Sequence, residues 1–323
     1  MTRYIFLPIL LSILSFAHVT ATTWDEPWAD QVIKGSSVFV LGKVFDSGKS
    51  ERHGLTIIRV LAGHKPVSDT VYIDEFYSLK LCSSSGHGVQ FSLKGIDTCY
   101  FFLKEGSNGK YAIATPSTGF DAVFEGKVSG TYRHSYHQAQ VAADIYEKTM
   151  LPVFNYYHQQ PYDEKWVNAF VTEHLSKKPS GFGKDEIGEF FCQHVALELV
   201  FHLDLNLSPA LILPFLMDKN NFHNQISGAR AMRSVKSVAA QRNLLTVAAD
   251  TSRSDFVRVM CMFSVNPSYL KELKRELGVI RKSENDEGVS FGGNIMDPRV
   301  CTHLPSLKDA LGNLEKKNQK PRK

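Results

Sequence analysis

Residues 37–45, SVFVLGKVF, open a series of short runs rich in valine, isoleucine, phenylalanine and tyrosine. Segments of glycine, asparagine, aspartate, serine and lysine separate the runs, and this alternation is typical of strands in a small antiparallel barrel or sandwich. Six further runs follow: GLTIIRVLAG (54–63), DTVYIDEF (69–76), VQFSL (89–93), TCYFFLK (98–104), KYAIATP (110–116) and DAVFEGKV (121–128). This many strands in about 95 residues predicts one β-barrel domain.

The periodicity then changes to a helical one. Apolar residues at helical spacing in 132–150 predict a helix that closes the first domain, and LPVFNYYHQQPYDE (151–164) has the composition of a linker. Most of the chain from Trp166 onward has helical periodicity, and Ser208-Pro209 and Asn266-Pro267 are helix-start signals. The predicted division is a domain at 22–150, a linker at 151–165, a helical domain at 166–314 and a basic tail at 315–323.

The N-terminus has the pattern of an export signal. Arg3 precedes the apolar run 4–17, and the small residues Val19-Thr20-Ala21 suit cleavage by a signal peptidase. The run is shorter than the roughly 20 residues that a membrane span needs. We therefore expect residues 1–21 to be removed and the mature chain to be secreted or periplasmic, with no transmembrane span after cleavage.

Composition sets broad limits. The chain has 323 residues, 43% of them apolar and 22% charged, with a formal net charge of +4 and five cysteines. These values predict a folded globular protein of two domains, for which we expect no nucleic-acid partner and no cofactor.

An exported chain meets oxidising conditions, so a disulfide between Cys82 and Cys99 is predicted. Cys192 and Cys261 lie on apolar helical faces that favour core packing, although a bridge between them stays open.

Two segments of the helical half resemble each other. NQISGARAMRSV (224–235) and SDFVRVMCMFSV (254–265) each follow a shorter apolar helix and an aspartate-containing turn, about thirty residues apart. The second segment, with Asp255, Arg258 and Cys261, resembles the second helix of a HEAT-type repeat. That resemblance implies a helical array from about 160 to 280, in which the aspartate caps the turn and the arginine bonds it.

The β half resembles the netrin-type OB barrel of the tissue inhibitors of metalloproteinases. VFVLGKVF, TIIRVLAG, Cys82 and then GIDTCYFFL (95–103) followed by KYAIATPSTG carry the resemblance over about 29–150. It implies an OB-like barrel. Those inhibitors chelate zinc through an N-terminal cysteine, whereas the mature end here reads TTWDEPW. The fold predicted from both resemblances is a small antiparallel OB-like barrel followed by an all-helical, HEAT-like array.

One serine-hydrolase pattern occurs near the C-terminus. Residues 288–292 read GVSFG and satisfy G-x-S-x-G, but charged residues precede them where a nucleophile elbow needs a buried strand. Asp297 and His303 lie in the same short stretch, whereas a triad brings its members from separate loops. We therefore interpret Ser290 as part of a glycine-rich loop and predict no catalytic residues.

Two histidines and a group of aromatic residues are the remaining candidates. His134 and His137 lie three apart at the start of the predicted 132–150 helix, where both imidazoles could face one metal ion; two solvated surface histidines are the alternative. Aromatic side chains gather where the two domains should meet, either as interdomain packing or as a patch that stacks on sugar rings or a peptide. The candidate binding residues are Tyr156, Tyr157, Trp166 and Arg258.

The predicted function follows from surfaces rather than from a catalytic constellation. We expect an exported, non-catalytic binding or scaffold protein that presents a barrel face and a helical surface to a protein or glycan partner. The alternatives are a secreted metal-assisted hydrolase that uses His134 and His137, and a protease inhibitor that acts through barrel loops.

Overall fold

The computed structural model describes most of the chain from Thr22 onward. The described residues are 22–49, 52–84, 89, 91–93, 95–106, 110–282, 287–292 and 297–319. The predicted export signal at 1–21 and the last residues of the predicted basic tail, 320–323, lie outside them. Within the described part, no helix combines the length and the apolar character that crossing a bilayer requires.

The N-terminal half forms an eight-stranded sheet. Its strands follow one another in the order β10-β9-β8-β6-β2-β3-β4-β7, and β7, which runs parallel to β4, also pairs with β6. The bounds are β2 Val38–Lys49, β3 Arg52–Gly63, β4 Thr70–Phe76, β6 Thr98–Glu105, β7 Tyr111–Ile113, β8 Phe120–Phe124, β9 Lys127–His134 and β10 His137–Ala142.

This sheet has two apolar faces because its strands alternate between them. On β2, Val38 and Val40 belong to a core shared with β3, β4, β6 and β7, whereas Phe39 belongs to the core formed with the helices. Phe39 stacks on Phe102 of β6, with ring centroids 4.7 Å apart. The burial of both faces explains why these strands are nearly continuously apolar in sequence.

The predicted small OB-like barrel with a closing helix at 132–150 is wrong. The half is a large eight-stranded sheet rather than a small closed barrel. Residues 132–142 lie in the β9–β10 hairpin rather than in a helix, and helix α2, Ala143–Tyr157, begins only after it. Ala139 and Val141 are buried and alternate with exposed residues along β10. This period of two is that of a strand, and in this segment it outweighs the helical spacing of the apolar residues in 132–150.

The helices of the structure are α1 before the sheet, α2 after it and eight more in the rest of the described chain. Their bounds are α1 Ala29–Gly35, α2 Ala143–Tyr157, α3 Glu164–Leu175, α4 Ile187–His202, α5 Pro209–Met217, α6 Phe222–Met232, α7 Val238–Ala249, α8 Asp255–Ser264, α9 Lys274–Lys282 and α10 Leu307–Gln319, with a 3₁₀ turn at Pro267–Tyr269. The Ser208 hydroxyl caps α5 by accepting from the Ala210 N–H, so the predicted start signal is confirmed. Asn266-Pro267 starts only the 3₁₀ turn.

The C-terminal region is not all-helical, which corrects the predicted array. Strands β11 Val289–Gly292 and β12 Val300–Leu304 form a hairpin, and β12 pairs in parallel with β1 Thr23–Asp25. Strand β5 Lys80–Ser83 pairs with the other edge of β1, which gives a four-stranded sheet in the order β11-β12-β1-β5. Strands from near the two ends of the described chain therefore meet in one sheet. Helix α10 extends to Gln319, through most of the predicted tail.

One apolar core joins the sheet to the helices. Helix α2 runs through Pro152 into the predicted linker, and Tyr146 and Phe154 on it contact Phe39 of the sheet. The same buried cluster continues through α3 to α10. We therefore expect the two halves to unfold together, since one buried cluster spans both of them.

The predicted Cys82–Cys99 disulfide is absent, because both thiols are free and lie in different sheets. Cys99 is buried in the core of the eight-stranded sheet, and burial strongly raises its pKa. Cys82 is exposed on β5 of the small sheet. Cys192 and Cys261 are also free thiols, and Cys261 is fully buried in the helical core.

Two helical glycines provide a matched test of the packing. A Cβ on Gly228 of α6 would lie 2.7 Å from the backbone nitrogen of Leu216 on α5, whereas a Cβ on Gly278 of α9 would meet nothing within 4 Å. We expect Gly228→Ala to lower the free energy of unfolding by about 2–3 kcal/mol, because backbone must move. Gly278→Ala should raise it by about 0.5–1 kcal/mol through helix propensity. Urea unfolding of both variants checks this, and equal effects of the two changes would contradict the close α5–α6 contact.

Candidate functional site

An open groove lies where several helices end. Its walls come from α1, from the C-terminal ends of α2, α4 and α6, and from the start of the 3₁₀ turn, and its volume is about 580 Å³. The lining residues include Asp30, Lys34, Tyr156, Tyr157, Phe201, His202, Asp204, Arg233 and Asn266. Helix C-termini present unpaired carbonyl groups, so the groove offers acceptors as well as side chains.

Aromatic rings form one wall of the groove. Tyr156 is 39% exposed, and Tyr157 beside it is half-buried. The Tyr157 hydroxyl donates to Nδ1 of His202 at 2.7 Å, and Nε2 of His202 donates to the carbonyl of Tyr132 at 2.6 Å. Because a carbonyl can only accept, this partner fixes the neutral tautomer of His202. Both imidazole nitrogens are used, so His202 holds the Tyr157 ring in place.

Most charged side chains at the rim of the groove are in ion pairs, and one of them is not. Lys34 pairs with Asp30 at 3.2 Å, and its Nζ also lies 4.5 Å from the centroid of the Tyr157 ring. Asp204 pairs with Lys236 at 3.3 Å. Arg233 is exposed at the C-terminal end of α6, and none of the ion pairs found among the described residues includes it. Its guanidinium is therefore the charge available to a ligand.

A buried polar cluster lies behind the groove, between the β9–β10 hairpin and helices α4 and α6. We call it the polar seam; it comprises Arg133, His137, His194, Glu198, His223, Ser227 and Arg230. Glu198 is fully buried and accepts from Nε of Arg230 at 2.8 Å and from the Ser227 hydroxyl at 2.7 Å. The Arg230 guanidinium lies 3.7 Å from the centroid of the Phe201 ring, which connects the seam to the groove wall.

The second arginine of the seam ties the sheet to α6. Arg133 on β9 donates to the Ser227 hydroxyl at 2.8 Å and to Nδ1 of His223 at 3.0 Å. It also donates to the carbonyl of His223 at 3.1 Å. Glu198 is thus the carboxylate of the seam that compensates the buried charges of Arg133 and Arg230. The stability of the seam therefore depends strongly on this one charge.

The histidines of the seam are held neutral. The His137 ring stacks on His223 with centroids 3.9 Å apart and meets His194 edge-on at 4.3 Å. Burial, together with the charge of Arg133, lowers the pKa of His223 to about 3 and lowers the pKa values of His137 and His194. Nε2 of His137 and Nε2 of His194 are buried without a hydrogen-bond partner.

The predicted metal pair does not lie on a helix surface. His134 and His137 are cross-strand partners in the β9–β10 hairpin. The His134 ring contacts Trp28 at 5.0 Å and its Nε2 donates to the Glu26 carbonyl, whereas His137 faces the seam. Burial lowers the pKa of His134 to about 3. In the part of the chain that the structure describes, no group of three or more His, Cys, Asp or Glu side chains is arranged to hold a metal ion.

The other sequence candidates fall outside the groove. Trp166 on α3 stacks on Phe170, with centroids 5.2 Å apart. Arg258 is buried, and it bonds the Ala248 carbonyl at the end of α7 and the Asp255 carboxylate at the start of α8. Its contacts join two successive helices, which is the tie that the sequence predicts for the pair. Ser290 lies on β11, opposite His303 of β12.

Sequence reasoning missed Asp30, Arg233 and Asn266. Each lies in or next to a short helix, and a helix end is readable from sequence, but nothing local indicates which ends meet. Tyr156 and Tyr157 were found because aromatic residues gather at the junction.

The chain matches no protein-family model, no curated protein and no solved structure. The netrin-like and HEAT-like resemblances therefore stay predictions.

Proposed function

We propose that this protein is a non-catalytic binding protein whose groove holds an acidic oligosaccharide. The observation that carries the proposal is the combination, in one open groove, of a tyrosine wall and an arginine that is not in an ion pair. Pyranose rings stack their C–H faces on aromatic side chains, and a uronate carboxylate suits a guanidinium.

The polar groups of the groove fit sugar hydroxyls. Asp30, Asp204 and Asn266 supply oxygen acceptors and an amide at the rim, close to the helix ends. Such a mixture of a flat apolar wall with a few polar groups is the usual make-up of a ligand site. The groove is open rather than enclosed, which suits a chain of sugar rings better than a single small molecule.

A binding role is favoured over a catalytic one by the state of the nearby acid–base groups. His202, the histidine in the groove, uses both ring nitrogens internally, and burial with the charge of Arg230 lowers its pKa. Of the histidines of the seam, His137 and His194 are buried, and His223 is partly buried between Arg133 and His137. A general base needs to reach the proton that it removes, and these groups face protein on every side that the contacts describe.

Titration calorimetry with a uronic-acid tetrasaccharide and its neutral hexose counterpart tests the proposal. We expect Tyr156→Ala to weaken binding of both sugars by about two- to tenfold, because stacking on one ring contributes about 0.5–1.5 kcal/mol. Arg233→Ala should weaken only the acidic sugar, by about tenfold or more. Phe124→Ala is the matched control, since that ring is 54% exposed on β8, a strand that does not line the groove.

Three results would contradict the proposal. If neither sugar binds the wild-type protein, the groove is not a glycan site. If an acidic peptide of equal charge binds and loses affinity in Tyr156→Ala while the sugars do not bind, the partner is a protein, as the sequence also allowed. Unchanged affinities in both groove variants would place the ligand elsewhere on the molecule.

A further inference from the structure

The small sheet collects two cysteines and a histidine on one face. In its register, Asp25 on β1 pairs with Cys301 of β12 on one side and with Lys80 of β5 on the other. Paired residues project to the same face, as do residues two apart on one strand. Cys82 therefore shares a face with Lys80, and His303 shares it with Cys301, so three adjacent strands bring these side chains together.

The distances agree with this placement. Sγ of Cys82 lies 3.9 Å from Nδ1 of His303, and the same nitrogen lies 3.2 Å from Oδ1 of Asp25. The Cys82 and Cys301 thiols share a hydrogen bond. Cys82 is exposed, and the His303 side chain is 52% exposed, so small solutes reach the cluster.

We propose that Cys82 and Cys301 are a redox pair that closes to a disulfide when the protein meets an oxidising low-molecular-weight disulfide such as oxidised glutathione. The Cys301 thiolate attacks one sulfur of glutathione disulfide, forms a mixed disulfide and releases one glutathione. Cys82 then gives its proton to His303 and attacks the Cys301 sulfur, which releases the second glutathione. The protein loses two electrons and two protons, and one external disulfide becomes two thiols.

The order of the two cysteines follows from their surroundings. Partial burial, reinforced by the hydrogen bond that the Cys82 thiol donates to Cys301, raises the pKa of Cys82 to about 12, so Cys82 needs a base at hand before it reacts. His303 supplies that base, and Asp25 stabilises the imidazolium that forms. The cysteines in the two cores cannot compete, because Cys99 and Cys261 are fully buried.

The bond requires β5 to move. Strands β5 and β12 flank β1 rather than pair with each other, and a disulfide needs its Cα atoms within about 7 Å. β5 is an edge strand whose four residues are all exposed, and its pairing with β1 shifts register between Thr23 and Trp24. Such a strand moves at little cost, and the closed bond would hold the C-terminal hairpin to the strand before the 85–88 segment.

Oxidation of the full mature chain tests the inference. After incubation with oxidised glutathione and alkylation of remaining thiols, intact mass should show a species that has lost two hydrogens and two alkylation sites. Digestion should yield a peptide linking Cys82 to Cys301. The closed chain should melt about 5–10 °C higher than the reduced one, because the bond restrains a long loop in the unfolded state. Cys192→Ser, which removes another free thiol, should keep the whole effect.

The single-cysteine variants separate the steps. Cys82→Ser should stop at a glutathione adduct on Cys301, with no rise in melting temperature, and Cys301→Ser should form no linked peptide. If glutathione remains attached to Cys301 in the wild-type protein, or if Cys82 is found linked to a different cysteine, the pair is not a redox couple. The wild-type peptide map alone decides this if a variant fails to fold.

Discussion

Replacement of Glu198 by alanine is expected to lower the free energy of unfolding by about 3–5 kcal/mol. Glu198 is fully buried and bonds both the Arg230 guanidinium and the Ser227 hydroxyl. Its removal leaves Arg230 and the nearby Arg133 as buried charges that no carboxylate of the seam compensates. The loss of one partner of a buried pair costs more than the pair contributes, because the remaining charge stays desolvated.

Chemical unfolding at pH 7.5 measures this change. Glu173→Ala is the control, since Glu173 pairs with Lys177 at 3.8 Å with both side chains about half exposed or more, and we expect its removal to cost less than about 0.5 kcal/mol. A loss below about 1 kcal/mol in Glu198→Ala would mean that solvent reaches the two arginines. The polar seam would then not be the buried junction between sheet and helices.

Acidification from pH 7.5 to 5.5 is expected to lower the free energy of unfolding by about 4 kcal/mol. Five histidines, four buried and one (His223) partly buried, have lowered pKa values in the fold: His134, His137, His194, His202 and His223. An unfolded histidine titrates near 6.5, so below that pH the unfolded chain takes up protons that the fold excludes. His134, His137, His194 and His223 each cost about 1.4 kcal/mol at pH 5.5, and His202, whose pKa is lowered by a smaller amount, adds less, so the five together cost about 6–7 kcal/mol.

Two carboxylic acids oppose this trend. Burial raises the pKa of Glu26 to about 7 and that of Asp121 to about 6. Their folded forms take up protons at a higher pH than their unfolded forms, so acidification to pH 5.5 relieves the cost of burying these charges. That relief amounts to about 2–3 kcal/mol, which leaves the net loss near 4 kcal/mol.

A histidine variant isolates the contribution of the seam. His223→Gln should reduce the loss between the two pH values by about 1.4 kcal/mol, because one fewer group takes up a proton on unfolding. His64→Gln is the matched control, since the His64 side chain is 70% exposed, and it should leave the pH dependence unchanged. A free energy of unfolding that is constant from pH 7.5 to 5.5 would show that the histidines protonate in place.

Much of the strand and helix content can be predicted from the sequence because it rests on local periodicity. The runs at 37–45 and 98–104 lie in β2 and β6, and the 187–203 pattern is helix α4. The β9–β10 hairpin could not be predicted, because β9 is buried on both faces and shows no alternation. The pairing of β1 with β12 joins segments more than 270 residues apart, and three-residue strands carry almost no periodic signal.

Some residues of the candidate site could likewise be predicted from the sequence, and others could not. Tyr156 and Tyr157 could be selected from their aromatic neighbourhood, and they do line the groove. The role of Arg233 depends on which charges around it are already paired, and that is a property of three-dimensional contacts. The polar seam was mostly hidden, because its histidines and arginines come from β9, β10, α4 and α6, and of these residues only His137 was a candidate in the sequence.

The central claim is that the groove at the helix ends is the ligand site, and hydrogen–deuterium exchange with the uronic-acid tetrasaccharide tests it most directly. The account predicts slower exchange on binding in the segments that line the groove, at 29–35, 153–158, 199–205, 230–236 and 264–268, with no change in the exposed β3–β4 connection at 64–69. Protection confined to any other part of the chain, or binding without protection of these segments, would contradict it.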